Sequence, residues 1–315
     1  MKIMFMGTPD LAKECLRQVF EKDGVEIVGV VTRADKQKGR GMKFVYSPVK
    51  EFALEKELPV YQPITLRDGE FQEVLDELQP ELIIVAAYGN ILPKYVLDYP
   101  KYGCINAHGS LLPKYRGASP IQRAIIDGET ETGITAMYME EGLDTGDMIL
   151  KLVCPITEDD DFGTLHDKLA SLAGKAMCDV IDLINSGNVP REKQDDSLSC
   201  YAAKIEKEDT IADFTRSPRE MVNLIRGLSP APCVVTKTPD GKLLKLPSAY
   251  VLEGECDKQP GTVIELDTAK EGKIVISCGG GLIAVTSVTP EGKKRMAAAD
   301  YIRGRKINVG DVLKY

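Results

Sequence analysis

Two polar residues, Asn106 and His108, are separated by one position in the short run Cys104-Ile105-Asn106-Ala107-His108. In an extended strand alternate residues face the same side. The Asn106 amide and the His108 imidazole would therefore project together, with Ile105 and Ala107 facing the opposite way. An amide donor beside an imidazole can hydrogen-bond an oxygen that is gaining negative charge. A lone histidine is more often structural, but a polar pair on one face of a short strand is costly to bury without a purpose. The strand also gives way at once to a loop, Gly109-Ser110-Leu111-Leu112-Pro113. A second group of chemical residues is the acidic loop Glu140-Glu141-Gly142-Leu143-Asp144-Thr145-Gly146-Asp147. Its glycines let the backbone bend sharply and approach a ligand. A carboxylate from this loop that met His108 would hold its tautomer and stabilise its charged form. A turn rich in Asp and Gly is equally the mark of a plain turn, and spacing alone sets no contact with His108.

Other glycine-bearing stretches exclude more than they offer. Met6-Gly7-Thr8-Pro9 lacks the GxGxxG that cradles a dinucleotide phosphate, which disfavours a nicotinamide cofactor. Gly279-Gly280-Gly281 is not followed by Lys-Ser or Lys-Thr, so it reads as a hairpin turn and not as a P-loop. The loop from Arg33 to Lys43 carries Arg33, Lys36, Lys38, Arg40 and Lys43 against Asp35, with glycines on either side of Arg40. Such a loop suits phosphate contacts and is also what a mobile surface loop looks like.

The elements that must position these residues alternate in type. Ile3–Met6 reads as a strand, and Thr8-Pro9 as an N-cap followed by a helix with Leu11, Ala12, Cys15, Leu16, Val19 and Phe20 at helical spacing. Val25–Thr32, Leu82–Ala86 and Cys104–His108 read as further strands. Helices are expected from Ser47-Pro48, over Phe71–Leu78, from Ser119-Pro120 through Ile126, and from about Thr164 to Ile184. This alternation predicts an α/β fold with a parallel, Rossmann-like sheet covered by helices on both faces. The polar stretch from Asn185 to Cys200 reads as an exposed linker. Beyond it come one helix, from Ser217-Pro218, and short strands broken by turn residues, the pattern of a small β-barrel or sandwich. The expected domains are 1–187, a linker 188–206, and 207–315.

The chain has 315 residues, 43% hydrophobic and 28% charged, with a formal net charge of -8. That is ordinary globular composition, long enough for two domains, and it excludes a globally basic nucleic-acid binder. The charge is uneven: residues 207–315 hold 17 Lys+Arg against 14 Asp+Glu, leaving 23 against 34 in residues 1–206. The most basic stretch, Lys293 to Lys306, holds Lys293, Lys294, Arg295, Arg303, Arg305 and Lys306 against Asp300. It reads equally as a phosphate-binding patch or a solvated helix face. The eight cysteines include no CxxC, and there are only two histidines, so neither a disulfide framework nor a zinc site is expected. No signal peptide or membrane-spanning run is legible, and a cytoplasmic protein is expected.

These pieces together resemble one family. Met6-Gly-Thr-Pro-Asp10, Gly39-Arg-Gly41 with Ser47-Pro-Val-Lys50, and Ala87-Tyr-Gly89 with Ile91-Leu-Pro93 match it. So do Cys104-Ile-Asn-Ala-His-Gly-Ser-Leu-Leu-Pro113, Arg116-Gly117, Pro120-Ile-Gln122 and Gly142-Leu-Asp-Thr-Gly-Asp-Met148. Further on, Tyr201-Ala-Ala-Lys-Ile205, Gly292-Lys-Lys-Arg-Met296 and Arg303-Gly-Arg305 match as well. The chain resembles the methionyl-tRNA formyltransferase family, within the folate-dependent formyltransferases, over nearly its whole length. The resemblance implies a Rossmann-like catalytic domain joined by a linker to an OB-like barrel that binds tRNA. It implies 10-formyltetrahydrofolate as formyl donor, the α-amino group of initiator methionyl-tRNA as acceptor, no metal, and a monomer. By the same resemblance Asn106, His108 and Asp144 are catalytic, while Tyr88, Gly89, Ile91, Ser110, Leu111, Leu112 and Pro113 bind folate. Arg40 engages the acceptor stem, with Lys38, Lys43, Lys293, Lys294, Arg303 and Arg305 as further tRNA contacts.

In the mechanism that follows, Asn106 and a protonated His108 stabilise the oxyanion formed when the amine attacks the formyl carbon, and Asp144 takes the amine proton. Two other readings compete. A folate-dependent enzyme acting on an amino-sugar nucleotide would usually carry a GxGxxG domain. A non-catalytic RNA-binding protein would show stacking aromatics on its barrel strands, and Tyr201, Phe214, Tyr250, Tyr301 and Tyr315 are the only aromatics there.

Overall fold

The computed structural model describes residues 1–38, 43–270, 272–304 and 306–315, and only the backbone at 36–38, 43 and 44. Arg40 and Arg305 lie outside the described residues, as do the side chains of Lys38 and Lys43. The chain divides into two compact units. The first comprises 1–120, 131–155 and 166–202, and the second 121–130, 156–165 and 203–315.

The first unit is built on β1 (Lys2–Gly7), β2 (Glu26–Val31), the short β3 (Lys36–Lys38) and β4 (Lys43–Val45), β5 (Val60–Tyr61), β6 (Leu82–Ala86) and β7 (Cys104–His108). The two-residue β8 (Arg116–Gly117), then β9 (Glu131–Tyr138), β10 (Met148–Pro155) and the short β11 (Tyr201–Ala202) complete it. Seven of these form one sheet in the order β10-β9-β7-β6-β1-β2-β5. From β7 to β5 every pairing is parallel, whereas β9 runs antiparallel to both β7 and β10. The antiparallel edge was not foreseen from sequence. Residues 132–137 of β9 are all buried, so the strand lacks the in–out alternation that marks a half-buried strand.

Ile3 to Met6 and Leu82 to Ala86 are almost completely buried, as central parallel strands covered on both faces must be. The helices α1 (Asp10–Phe20), α2 (Pro48–Glu55), α3 (Phe71–Leu78) and α4 (Lys94–Leu97) lie between strands in the chain. α1 buries Leu11, Ala12, Cys15, Leu16 and Val19, the face expected from spacing. Its start differs from expectation: Pro9 is the N-cap, no side chain caps the helix, and the Thr8 hydroxyl turns to the Tyr88 carbonyl. Ser47 does cap α2, accepting from the Lys50 amide at 3.1 Å. α5 (Pro120–Ile126) and the long α6 (Phe162–Ser186) each cross the division between the units.

The second unit holds α7 (Pro218–Leu228), β12 (Val234–Lys237), β13 (Leu243–Glu255), β14 (Val263–Asp267), β15 (Lys273–Cys278), β16 (Gly281–Pro290), β17 (Met296–Ala297) and α8 (Ala298–Arg303). Its antiparallel sheet runs β12-β13-β16-β15-β14, with β17 on β16. The expected hairpin at Gly279-Gly280 joins β15 to β16, with Gly280 at φ +80°. The final residues close the sheet. Lys314 exchanges backbone hydrogen bonds with Lys237 on β12, while Asp311 and Leu313 bond the β14 side at Val263 and Gly261. α7 is fixed by a reciprocal capping box between Ser217 and Glu220 and turns Met221, Val222, Leu224, Ile225 and Leu228 into this unit's core.

All eight cysteines are free thiols, and Cys15, Cys104, Cys154, Cys233 and Cys278 are buried. Among the described residues no helix is long and apolar enough to cross a membrane, and no three His, Cys, Asp or Glu side chains converge as metal ligands.

Candidate active site

Strand β7 carries the site. Asn106 pairs with Val85 of β6 and Met137 of β9 and is held in register from two sides, while His108 pairs with Thr135 of β9. They share a face, Asn106 half-buried and His108 only 5% exposed. The Asn106 side chain has no hydrogen-bond partner among the described residues, and the residue is partly exposed.

The His108 ring is held at both nitrogens. Nε2 lies 2.8 Å from the Tyr115 carbonyl oxygen, which can only accept, so Nε2 carries a proton. Nδ1 faces the Asp144 carboxylate at 3.6 Å, a contact longer than a hydrogen bond. Asp144 in turn accepts from the Gly117 amide at 2.9 Å. The sequence suggests an imidazole that donates to an oxyanion alongside Asn106; here its Nε2 proton is directed at a backbone carbonyl. Tyr115, in the left-handed region at φ +60°, swings its carbonyl onto Nε2, so both ring nitrogens already face protein oxygens.

The chain beyond β7 folds back to make this arrangement. Thr135 Oγ1 donates to the Ser110 carbonyl and accepts from the Leu112 amide, at 2.7 and 3.0 Å. The Ser110 hydroxyl donates to the Lys114 carbonyl at 2.7 Å. Ser110 and Leu112 are buried, Leu112 against Met137 and Met148, while Leu111 and Pro113 are half-buried. The acidic loop owes its path to a backbone exception at a non-glycine: Asp144 itself is left-handed, at φ +53°. The flanking Gly146 serves space and not φ, because a Cβ there would sit 1.9 Å from the Tyr138 carbonyl.

The remaining sequence-picked residues are placed as follows. Tyr88 is 2% exposed in the hydrophobic cluster with Met4 and Met6, and burial raises its phenol's pKa. Gly89 adopts φ +81° beside the Arg33 guanidinium, and Ile91 is 65% exposed. In the second unit Lys293 and Lys294 are exposed, whereas Arg303 is engaged with Asp300 and the Thr268 carbonyl. The basic loop springs from a polar anchor. Lys50 Nζ donates to Asp35 and to Gln62, at 2.6 and 2.7 Å, and Gln62 donates to Asp35 and the Arg33 carbonyl.

Sequence reasoning missed two features. A cleft of about 660 Å³ lies along the first half of the acidic loop, lined by Leu97, Cys104, Tyr138, Met139, Glu140, Gly142 and Arg191 among others, and none of the residues picked for folate lines it. Gln194, read as linker, donates to the carbonyls of both Asp144 and Gly146 at 2.8 Å. Nothing in its neighbourhood marks it out, since the bonds go to backbone on a distant segment.

Comparison with known proteins adds to this geometry. Residues 1–181 match the family model described as formyl transferase, and residues 204–306 that of the formyl transferase C-terminal domain. The chain is 45% identical over 310 residues to the methionyl-tRNA formyltransferase of Geotalea daltonii, covering 98% of this chain and 97% of that one. It is 46% identical over 315 residues to the enzyme of the same name from Caldanaerobacter subterraneus subsp. tengcongensis, covering 100% of both. Among solved structures it resembles HypX from Aquifex aeolicus in complex with tetrahydrofolic acid, with TM-score 0.63 and 17% identity over 96% of this chain and 47% of that one. It also resembles an N-formyltransferase from Helicobacter canadensis in complex with folinic acid and dTDP-3-aminofucose, with TM-score 0.65 and 20% identity over 90% and 98%. At such identities these two structures speak to fold alone.

Proposed function

The chain belongs to the methionyl-tRNA formyltransferase family, and from that premise we infer that it transfers a formyl group from a reduced folate to the α-amino group of methionine on initiator methionyl-tRNA. The observation that carries this is the match over both units at once, at 45 to 46% identity. The amino-sugar reading rests on structural likeness at 20% identity, and an RNA-binding role alone leaves the β7 pair without work.

The donor is 10-formyltetrahydrofolate, and the protein acts as a monomer in the cytoplasm. Transfer makes a bond from the amine nitrogen to the formyl carbon, breaks that carbon's bond to N10, and moves one proton from the amine to N10. The open Asn106 amide is the donor aimed at the formyl oxygen as it gains charge. The amine proton passes to the Asp144–His108 pair, directly or through a water, and the pair returns it to N10. The Tyr115 carbonyl fixes the ring so that Nδ1 always faces Asp144. Tyr88, Gly89, Ile91 and residues 110–113 shape the donor site. Because the Ser110 and Leu112 side chains are buried, those two act through their backbone. Arg40 with Lys38 and Lys43, and Lys293, Lys294, Arg303 and Arg305, meet tRNA phosphates.

A competition assay tests the reading. The protein is given 10-formyltetrahydrofolate with charged initiator tRNA, charged elongator tRNA and an amino-sugar nucleotide. Formylation of the initiator tRNA is expected; formylation of the sugar nucleotide in its place overturns the reading.

A further inference from the structure

The polar segment after α6 is fastened to the site at both ends of the His108 ring. Glu192 exchanges two backbone hydrogen bonds with Met148, at 2.8 and 2.9 Å, just beyond the acidic loop. Two residues on, the Gln194 amide nitrogen donates to the Asp144 and Gly146 carbonyls, both at 2.8 Å. Its amide oxygen accepts from Arg116 Nε at 3.0 Å, and Arg116, with its side chain 12% exposed, also holds Asp196 at 2.7 Å. Further along, the Cys200 carbonyl accepts from the Arg116 amide at 2.9 Å, and Cys200 Sγ accepts from the Tyr115 amide at 3.2 Å. β11 then pairs in parallel with β8.

Both partners of the imidazole are thus gripped by one strap: Tyr115, whose carbonyl meets Nε2, and Asp144, whose carboxylate faces Nδ1. Both are non-glycine residues in the left-handed region, at φ +60° and +53°. Such a conformation persists only where its surroundings over-determine it. Gln194 provides that constraint at Asp144, with one hydrogen bond to its own carbonyl and one to the carbonyl two residues on. The position asks for two donors toward carbonyls and one acceptor toward a guanidinium. A neutral side-chain amide supplies all three, whereas a carboxylate only accepts and an ammonium only donates.

We propose that Gln194 is a positioning residue for the transfer, holding the acidic loop so that the Asp144 carboxylate stays against His108. This rests on the reading above that Asp144 and His108 move the proton. A carboxylate freed to drift by an ångström loses its alignment, and misplacement of that size costs up to about 100-fold in rate.

The test is a double-mutant cycle on the full chain, in the formyl-transfer assay with charged initiator tRNA. The proteins are the parent, Gln194→Met, Asp144→Asn and the double variant. Gln194→Met keeps the shape and removes all three hydrogen bonds. Gln194→Glu is the second variant; it keeps Arg116 but sets a carboxylate against two carbonyls. Each Gln194 variant should lower kcat by about 10- to 100-fold, with KM for both substrates within about twofold and a melting temperature lowered by a few degrees, the protein staying folded at the assay temperature. In the Asp144→Asn background Gln194→Met should cost no more than about twofold, because the carboxylate it positions is gone. Unchanged kcat in both Gln194 variants, with Asp144→Asn slow, overturns the positioning role and leaves the catalytic reading standing. Full multiplication of the two effects also overturns it, since Gln194 would then act elsewhere. Normal turnover in Asp144→Asn overturns the catalytic reading, and the purpose of the strap with it.

Discussion

Replacing Asn106 by alanine removes a site donor that no protein group among the described residues occupies. The side chain has no partner among the described residues, so its truncation orphans no buried donor or acceptor. The backbone at this position stays paired to Val85 and Met137, and the change in unfolding free energy should stay within about 1 kcal/mol. The loss therefore falls on the transition state. A single preorganised donor to a developing oxyanion contributes about 3 kcal/mol, which is about 100- to 1000-fold in kcat. Because the ground-state formyl oxygen is a weaker acceptor, KM for the folate should move by less than about threefold. Asn106→Asp separates charge from shape. It is isosteric but brings a carboxylate to the place where negative charge forms, so it should be slower than Asn106→Ala. Steady-state formylation of charged initiator tRNA measures all of this. A kcat within about threefold of the parent in Asn106→Ala, or equal rates in the two variants, would refute an oxyanion role for the amide.

Three further expectations follow from the geometry. Gly146→Ala brings a Cβ to 1.9 Å from the Tyr138 carbonyl, so the loop must shift; kcat should fall by at least about tenfold, and turnover equal to the parent would show that the loop has slack. Ser217→Ala removes the hydroxyl half of the capping box of α7 and should cost about 1 kcal/mol in urea unfolding without changing kcat. Lys50→Met strips the anchor of the basic loop and leaves the Asp35 carboxylate with Gln62 alone. With the pair partly exposed, at 13% and 19%, the cost at pH 7 should be roughly 1–3 kcal/mol, short of a fully buried pair. The Asp35 carboxyl is held below the usual carboxylate range, chiefly by the Lys50 hydrogen bond. That stabilisation is present above the usual carboxylate pKa and is lost as pH falls through the lowered one. The gap between parent and variant should therefore close on acidification; a gap that stays constant across that range would show that the ion pair does not carry it.

The parallel core of the first unit was readable because its strands are short, apolar and separated by helices of clear period: Leu11, Cys15 and Leu16 in α1 and Val49, Phe52 and Ala53 in α2 are buried as their spacing requires. That Asn106 and His108 share a face followed from the two-residue period of a strand. What they meet did not. The contact of His108 with Asp144 depends on left-handed turns at Tyr115 and Asp144; Asp takes that conformation more readily than most residues, but Tyr gives no warning of it. The strap was misread for a related reason. Its side chains are polar and largely exposed, as a linker's are, but its ties run through backbone atoms of Met148, Arg116 and Ala202, and backbone leaves no mark on composition. Thr8 shows the reverse error, a good cap by type whose hydroxyl is turned away to Tyr88.

The second unit finishes its ring with residues 311–314, which bond to β12 on one side and to β14 on the other. Synthesis delivers these residues after every strand they join, so the ring stays open for as long as they remain in the ribosomal tunnel, and two raw strand margins wait unpaired. A chain lacking residues 311–314 would keep the same open form permanently, a sticky intermediate fit for clumping or for degradation. The closing pairs of this unit therefore form only once β12 and β14 are both in place to receive residues 311–314.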